Sequence, residues 1–142
     1  MAEGKLNFEK LNNAAVALGD SLGVLENLTA EERRNAALVR TIQSGIIQNF
    51  EVAYDQCWKM MKRWLDVNIG RETLNIITRK DLFRAAGKSG MISDAEKWFK
   101  FHFARNDASH NYDSTLVVET IKIASDFFAE MRTLRQFFSE HA

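Results

Sequence analysis

Proline is absent from this 142-residue chain, where an average composition of about 5% would supply roughly seven. Inside a helix the pyrrolidine ring removes an amide donor and clashes with the preceding turn, so its absence fits a chain that is helical from end to end. There is one cysteine, Cys57, and no internal disulfide can form. It falls in an apolar stripe of helical spacing and is expected to be a small core residue, not a nucleophile. No apolar run approaches the ~18 residues that span a bilayer. The opening Met1-Ala2-Glu3-Gly4-Lys5 lacks the basic-then-apolar pattern of a secretory signal. With neither an export signal nor a disulfide framework, the cytosol is the expected compartment and no membrane contact is expected.

An excess of either charge is missing too. Nineteen Lys and Arg balance nineteen Asp and Glu, which argues against a dedicated, strongly basic nucleic-acid binder. The balance is uneven along the chain. Between Lys59 and Lys88 lie eight basic residues (Lys59, Lys62, Arg63, Arg71, Arg79, Lys80, Arg84, Lys88) and three acids. Such a face could hold phosphates, meet an acidic protein, or be an ordinary solvated helix surface. There is no Walker loop, no Gly-rich dinucleotide fingerprint, and no Gly-Ser followed by paired acids of a nucleotidyltransferase active site. The chain is not expected to transfer nucleotides by itself.

What is present is helical periodicity in a chain of ordinary globular composition, 46% hydrophobic and 27% charged. Leu11, Ala14, Ala15, Leu18, Leu22 and Leu25 recur at threes and fours and predict a first helix over about Leu6 to Glu26, weakened at Gly19 and Gly23. Thr29-Ala30-Glu31-Glu32 is a capping-box pattern and marks a second start. The long helix after it carries Ile42, Ile46, Phe50, Ala53, Tyr54, Cys57, Met61 and Leu65 on one face and ends near Asn68 to Gly70. Thr78-Arg79-Lys80-Asp81 opens a short piece closed by Gly87 and Gly90. Ser93-Asp94-Ala95-Glu96 is a further capping box, opening a helix that reaches Arg105. Asp113 or Ser114 caps a last helix to about Ser139.

Apolar residues of that last helix, from Leu116 to Phe138, cover roughly 160° of its circumference. One core needs a stripe of only about 100°. The surplus predicts either a subunit interface, and so a homodimer, or a central place in the bundle. Short connections imply antiparallel neighbours. The predicted fold is all-α: a four-helix up-and-down antiparallel bundle with an additional short helix, forming one domain over residues 1–142.

Chemistry concentrates in Arg105-Asn106-Asp107-Ala108-Ser109-His110-Asn111-Tyr112, between the last two helices. A guanidinium grips phosphate oxygens. An imidazole titrates near ~6.5 and serves as base or acid. A phenol accepts modification. Each residue also has a plain structural reading: Arg105 at a helix C-terminus where the dipole favours cations, His110 in a turn, Tyr112 as a half-buried anchor. Asn106 and Asp107 could orient Arg105 or simply form a turn.

The run from Ile42 through Asn49-Phe50-Glu51-Val52-Ala53-Tyr54-Asp55 to Lys62, together with Gly90-Met91-Ile92-Ser93-Asp94, Trp98 and Arg105-Asn106…His110-Asn111-Tyr112-Asp113, resembles the nucleotidyltransferase substrate-binding proteins. These are small helical bundles encoded beside a minimal nucleotidyltransferase, within the HEPN superfamily. The mark of that superfamily is an Arg followed after four to six residues by a His; here the gap is four. The step on to Tyr112 resembles the toxin half of HEPN/nucleotidyltransferase toxin–antitoxin pairs.

The resemblance implies a metal-independent ribonuclease in which Arg105 and His110 are the catalytic pair. A small nucleotidyltransferase encoded nearby would be its partner and would silence it by adenylating Tyr112. It alternatively implies a non-enzymatic subunit that binds substrate or nucleotide for a split nucleotidyltransferase. A third possibility is an interaction module that has kept the bundle and lost both activities.

A two-fold dimer would repeat Arg105 and His110 across its axis. Glu51, mid-helix among apolar residues, could pair with Arg105 or face solvent, and Tyr54 and Trp58 follow it at helical spacing. Trp58 and Trp98 read more readily as core than as stacking platforms. His102 and His141 have no metal-ligand spacing, so neither a metal nor another cofactor is expected.

Overall fold

The computed structural model describes residues 6–108 and 114–141. Seven helices make up the described chain: α1 (Glu9–Glu26), α2 (Ala30–Arg33), α3 (Ala36–Asn68), α4 (Arg71–Leu74), α5 (Arg79–Lys88), α6 (Ala95–Ala108) and α7 (Ser114–Glu140). The fold is all-α. Three short helices, not one, accompany the four long ones.

Local chemistry sets most boundaries. Leu6 and Phe8 stay outside α1, and the Asn7 side chain accepts from the Glu9 amide at its start. The Thr29 capping box is present, but it opens only the single turn of α2. The long helix has its own start at Asn35, whose side chain accepts from the Leu38 amide. Thr78 and Asp81 form the predicted box at α5. In place of the box expected at Ser93 there is a single cap one residue on: the Asp94 carboxylate accepts from the Glu96 amide at the start of α6. At the end of α5, Gly90 has φ +80°. Its amide donates to Gly87 O and the Met91 amide to Ala86 O, the closing pair of a Schellman turn. Buried Met91 then packs against the core.

Side-chain pairs fix the helix directions. Phe8 stacks on Phe138 and Arg135 Nε donates to Asn12 Oδ1, so α1 and α7 run antiparallel. Asn49 of α3 reaches Ala17 O and Ser21 Oγ of α1, and Arg33 of α2, just before α3 begins, reaches Leu25 O at the end of α1, so α1 and α3 do too. Phe101 against Phe127 and Lys97 against Glu130 make α6 antiparallel to α7. Phe50 meets Phe127 while Trp64 Nε1 donates to His141 O, so α3 and α7 lie side by side in the same sense. The centre is aromatic: Phe50, Tyr54, Phe83, Trp98 and Phe127 are all at most 1% exposed. Cys57 is fully buried there, and burial pushes its thiol pKa up, as expected of a core residue.

Helix α7 touches α1, α3 and α6, which accounts for much of its apolar width. Its buried stripe is Ala124, Phe127, Met131, Leu134 and Phe138. Leu116 and Ile123 are only half-covered, and with Phe103 of α6, 57% exposed, they line a groove of about 560 Å³ between α6 and α7. No helix among the described residues is long and apolar enough to cross a membrane.

Candidate functional site

Arg105 occupies the last turn of α6 and points at α3. Its Nε donates to Asp55 Oδ1 and its Nη2 to Asp55 Oδ2, both at 3.2 Å, a fork-to-fork pair. Its Nη1 donates to Glu51 Oε2 at 2.9 Å. The three side chains are a quarter to a third exposed. Glu51 and Asp55 lie one turn apart on α3, which is why both reach one guanidinium. Hydrogen bonding to Asp55 and the two nearby carboxylates raise the Arg105 pKa further, so the cation is permanent.

A second set lies one helical turn deeper. Tyr54, 1% exposed, makes a 2.7 Å hydrogen bond to His102 Nδ1. Arg79 Nη1 donates to the same phenol oxygen at 3.4 Å. The Asn106 amide nitrogen is 3.3 Å from His102 Nε2. The imidazole tautomer sets the direction of the Tyr54–His102 bond. Burial, and then the cations Arg79 and Arg105, hold the His102 pKa below its ordinary value and favour the neutral ring. Burial pushes the Tyr54 phenol up to about 12, so it keeps its proton. Arg79 also lies over the Trp58 ring at 3.5 Å from its centroid.

Of the residues expected to form the site, the fold brings Arg105, Glu51 and Tyr54 together. His110 and Tyr112 lie outside the described residues. Asn106 and Asp107, expected either to orient Arg105 or to form a turn, lie at the end of α6. The Asn106 side chain is spent on His102, Asp107 lines the groove toward α7, and Arg105 is oriented by Glu51 and Asp55. Sequence reasoning missed Asp55, His102 and Arg79. Asp55 stands four residues after Glu51, and His102 four before Asn106, so helical spacing carried a signal for both. Nothing local marks Arg79. Trp98 is core as expected, although its buried Nε1 has no hydrogen-bond partner. Trp58 is half-buried beneath a guanidinium.

Residues 6–140 match the family described as "Nucleotidyltransferase substrate binding protein like". The chain belongs to that family. Within it, the chain is 30% identical over 131 residues to a Haemophilus influenzae protein named "Probable ribonuclease HepT", covering 92% of this chain and 90% of that relative. Among solved structures it is similar to one from Haemophilus influenzae described as the fold of a substrate binding domain of a nucleotidyltransferase. The TM-score is 0.83 at 29% identity, over 90% of this chain and 96% of that one.

Proposed function

We propose that this chain is the helical, HEPN-type subunit of a two-component nucleotidyltransferase module and a metal-independent RNA endonuclease. The observation that carries the reading is the clamp of Glu51 and Asp55 on Arg105, which fixes the start of the Arg-x4-His-x-Tyr segment against α3. The similarity to a relative named as a ribonuclease supports it. In the reaction a base takes the 2′-hydroxyl proton, the oxygen attacks phosphorus, the P–O5′ bond breaks, and an acid gives a proton to the leaving oxygen. His110 serves as base or acid. Arg105 stabilises the charge on the crowded phosphate. Two imidazoles meet in one cleft if two copies associate through the half-covered apolar groove of α6 and α7.

The partner is a small nucleotidyltransferase, encoded nearby, that silences the nuclease. It joins the α-phosphorus of ATP to the Tyr112 oxygen; pyrophosphate leaves and the phenol proton passes to a base. The adenylate adds bulk and negative charge where RNA must lie.

The test is growth after expression of wild type and His110→Ala, each with and without the partner, together with RNA cleavage by purified protein. Arrest by wild type alone, relieved by the partner and absent in His110→Ala, is expected. Equal cleavage by wild type and His110→Ala rules the assignment out.

A second reading has one observation in its favour. The Arg105 charge is balanced by two carboxylates, so this corner presents no surplus positive charge to a phosphate. On that reading the chain is a non-enzymatic subunit presenting substrate or nucleotide to the partner, and expression alone leaves growth unchanged.

A further inference from the structure

The basic run between Lys59 and Lys88 does not form one face. Lys80 and Arg84 lie over Phe99, and Arg79 covers Trp58. Lys59, Lys62 and Arg63 of α3, with Arg71 of α4, instead line an open groove of about 390 Å³, joined from α1 by Lys10. The groove has one acid, Asp66, which accepts from Lys62 Nζ at 3.1 Å and from Arg71 Nε at 3.3 Å. Among the described residues Lys10, Lys59 and Arg63 have no carboxylate within ion-pair distance. A chain with no net charge has therefore gathered five cations against one anion in a single place. Trp58 lines the same groove, whereas Arg79, which covers its ring, does not.

The groove is connected to the site already described. Lys59 lies one turn beyond Asp55 on α3, a rise of about 6 Å. Trp58 leads back through Arg79 and Tyr54 to His102, three residues before Arg105. Cations beside an aromatic ring match the two faces of a single strand: phosphates pair with the charges and a base stacks on the ring. An acidic protein surface would use the lysines but not the indole.

We propose that this groove binds single-stranded RNA beside the cleavage site, with Lys10, Lys59 and Arg63 on phosphates and a base against Trp58. The proposal rests on the reading of the chain as an RNA-directed protein, but it concerns binding and is separable from cleavage.

The experiment titrates a labelled single-stranded RNA of about ten nucleotides into His110→Ala protein, which keeps the RNA whole. The same titration is run with Lys10→Gln, Lys59→Gln and Arg63→Gln added together. All three positions are exposed, and circular dichroism with a melting curve checks that the fold is kept. The triple variant is expected to bind at least tenfold more weakly at low salt. Its plot of log affinity against log salt should be shallower by about 2, since each phosphate contact on a single strand contributes about 0.7. In protein otherwise unaltered, RNA should quench tryptophan emission, and Trp58→Phe should lose that quenching, because Trp64 and Trp98 are buried.

Failure to bind RNA in the parent protein overturns the proposal. So does unchanged affinity and salt slope in the triple variant; if wild type still cuts RNA, the ribonuclease reading survives that result. RNA binding that depends on the groove, in a protein that cuts nothing, upholds the groove and removes the nuclease. Loss of nucleotidyltransferase association with RNA binding intact would make the groove a protein-docking surface and overturn the proposal.

Discussion

Arg105 and Asp55 face each other across α6 and α3 with two parallel hydrogen bonds of 3.2 Å each. Fork-to-fork geometry fixes the guanidinium plane as well as its position. Asp55→Ala is expected to lower the unfolding free energy by about 1–2 kcal/mol, more than an exposed surface pair. A double-mutant cycle with Arg105→Ala should return a coupling near 1 kcal/mol. Urea denaturation measures it, and a coupling within error of zero would mean that the pair contributes nothing to holding α6.

The neutral His102 ring makes stability fall in mild acid. Its folded pKa lies below the unfolded value of about 6.5. Between those two values the unfolded chain binds more protons than the folded one, so stability rises with pH through that window. It is lost as pH falls from about 6.5 toward the folded pKa and levels off below it. NMR titration of the imidazole should place its midpoint under 6.5. In His102→Gln the stability slope between pH 5 and 6.5 should flatten, and an unchanged slope would assign it to other groups.

Two glycines of α1 should respond differently to alanine. A Cβ on Gly23 meets nothing within 4 Å, so Gly23→Ala should raise stability by about 0.5 kcal/mol through helix propensity alone. A Cβ on Gly19 would lie 2.8 Å from Phe128 Cζ. Gly19→Ala is therefore expected to melt below Gly23→Ala, and adding Phe128→Leu should recover part of the difference. Equal melting points for the two alanine variants would show that the Phe128 ring gives way without cost.

Thr78 ties a local signal to the site. Its hydroxyl caps α5, which places Arg79 over Trp58 and against Tyr54. Thr78→Ala should cost about 1 kcal/mol. The loosened α5 should also change Trp58 emission, while Thr29→Ala, which caps a peripheral single turn, should leave that emission as it is. If Thr78→Ala does not alter the emission, α5 is held by Leu82 and Phe83 burial and its cap is dispensable.

The capping signals show how far the sequence could be read. Thr78 opens the helix it was expected to open. Thr29 satisfies both bonds of its box but supports a single turn, because Asn35 offers the chain a second cap six residues on. Ser93 yields to Asp94, whose carboxylate reaches the Glu96 amide from the next position. Each signal reported that a helix starts nearby. Which of two adjacent acceptors wins depends on where the following helix must dock.

The candidate site divides in the same way. Arg105 could be singled out as the cation that begins the Arg-x4-His-x-Tyr segment, and Glu51 and Tyr54 because polar groups at helical spacing among apolar residues invite a partner. Helical identity, the absence of a membrane-spanning helix among the described residues, and the apolar stripes follow from the order of residues, since period and propensity are local properties of a chain. That Asp55 shares the guanidinium, that His102 rests on Tyr54, and that Arg79 arrives over Trp58 from a separate helix could not be read this way. Those partners are 50, 48 and 21 positions apart. Only the packing of large side chains in the core sets the distance and rotation at which the helices that carry them meet.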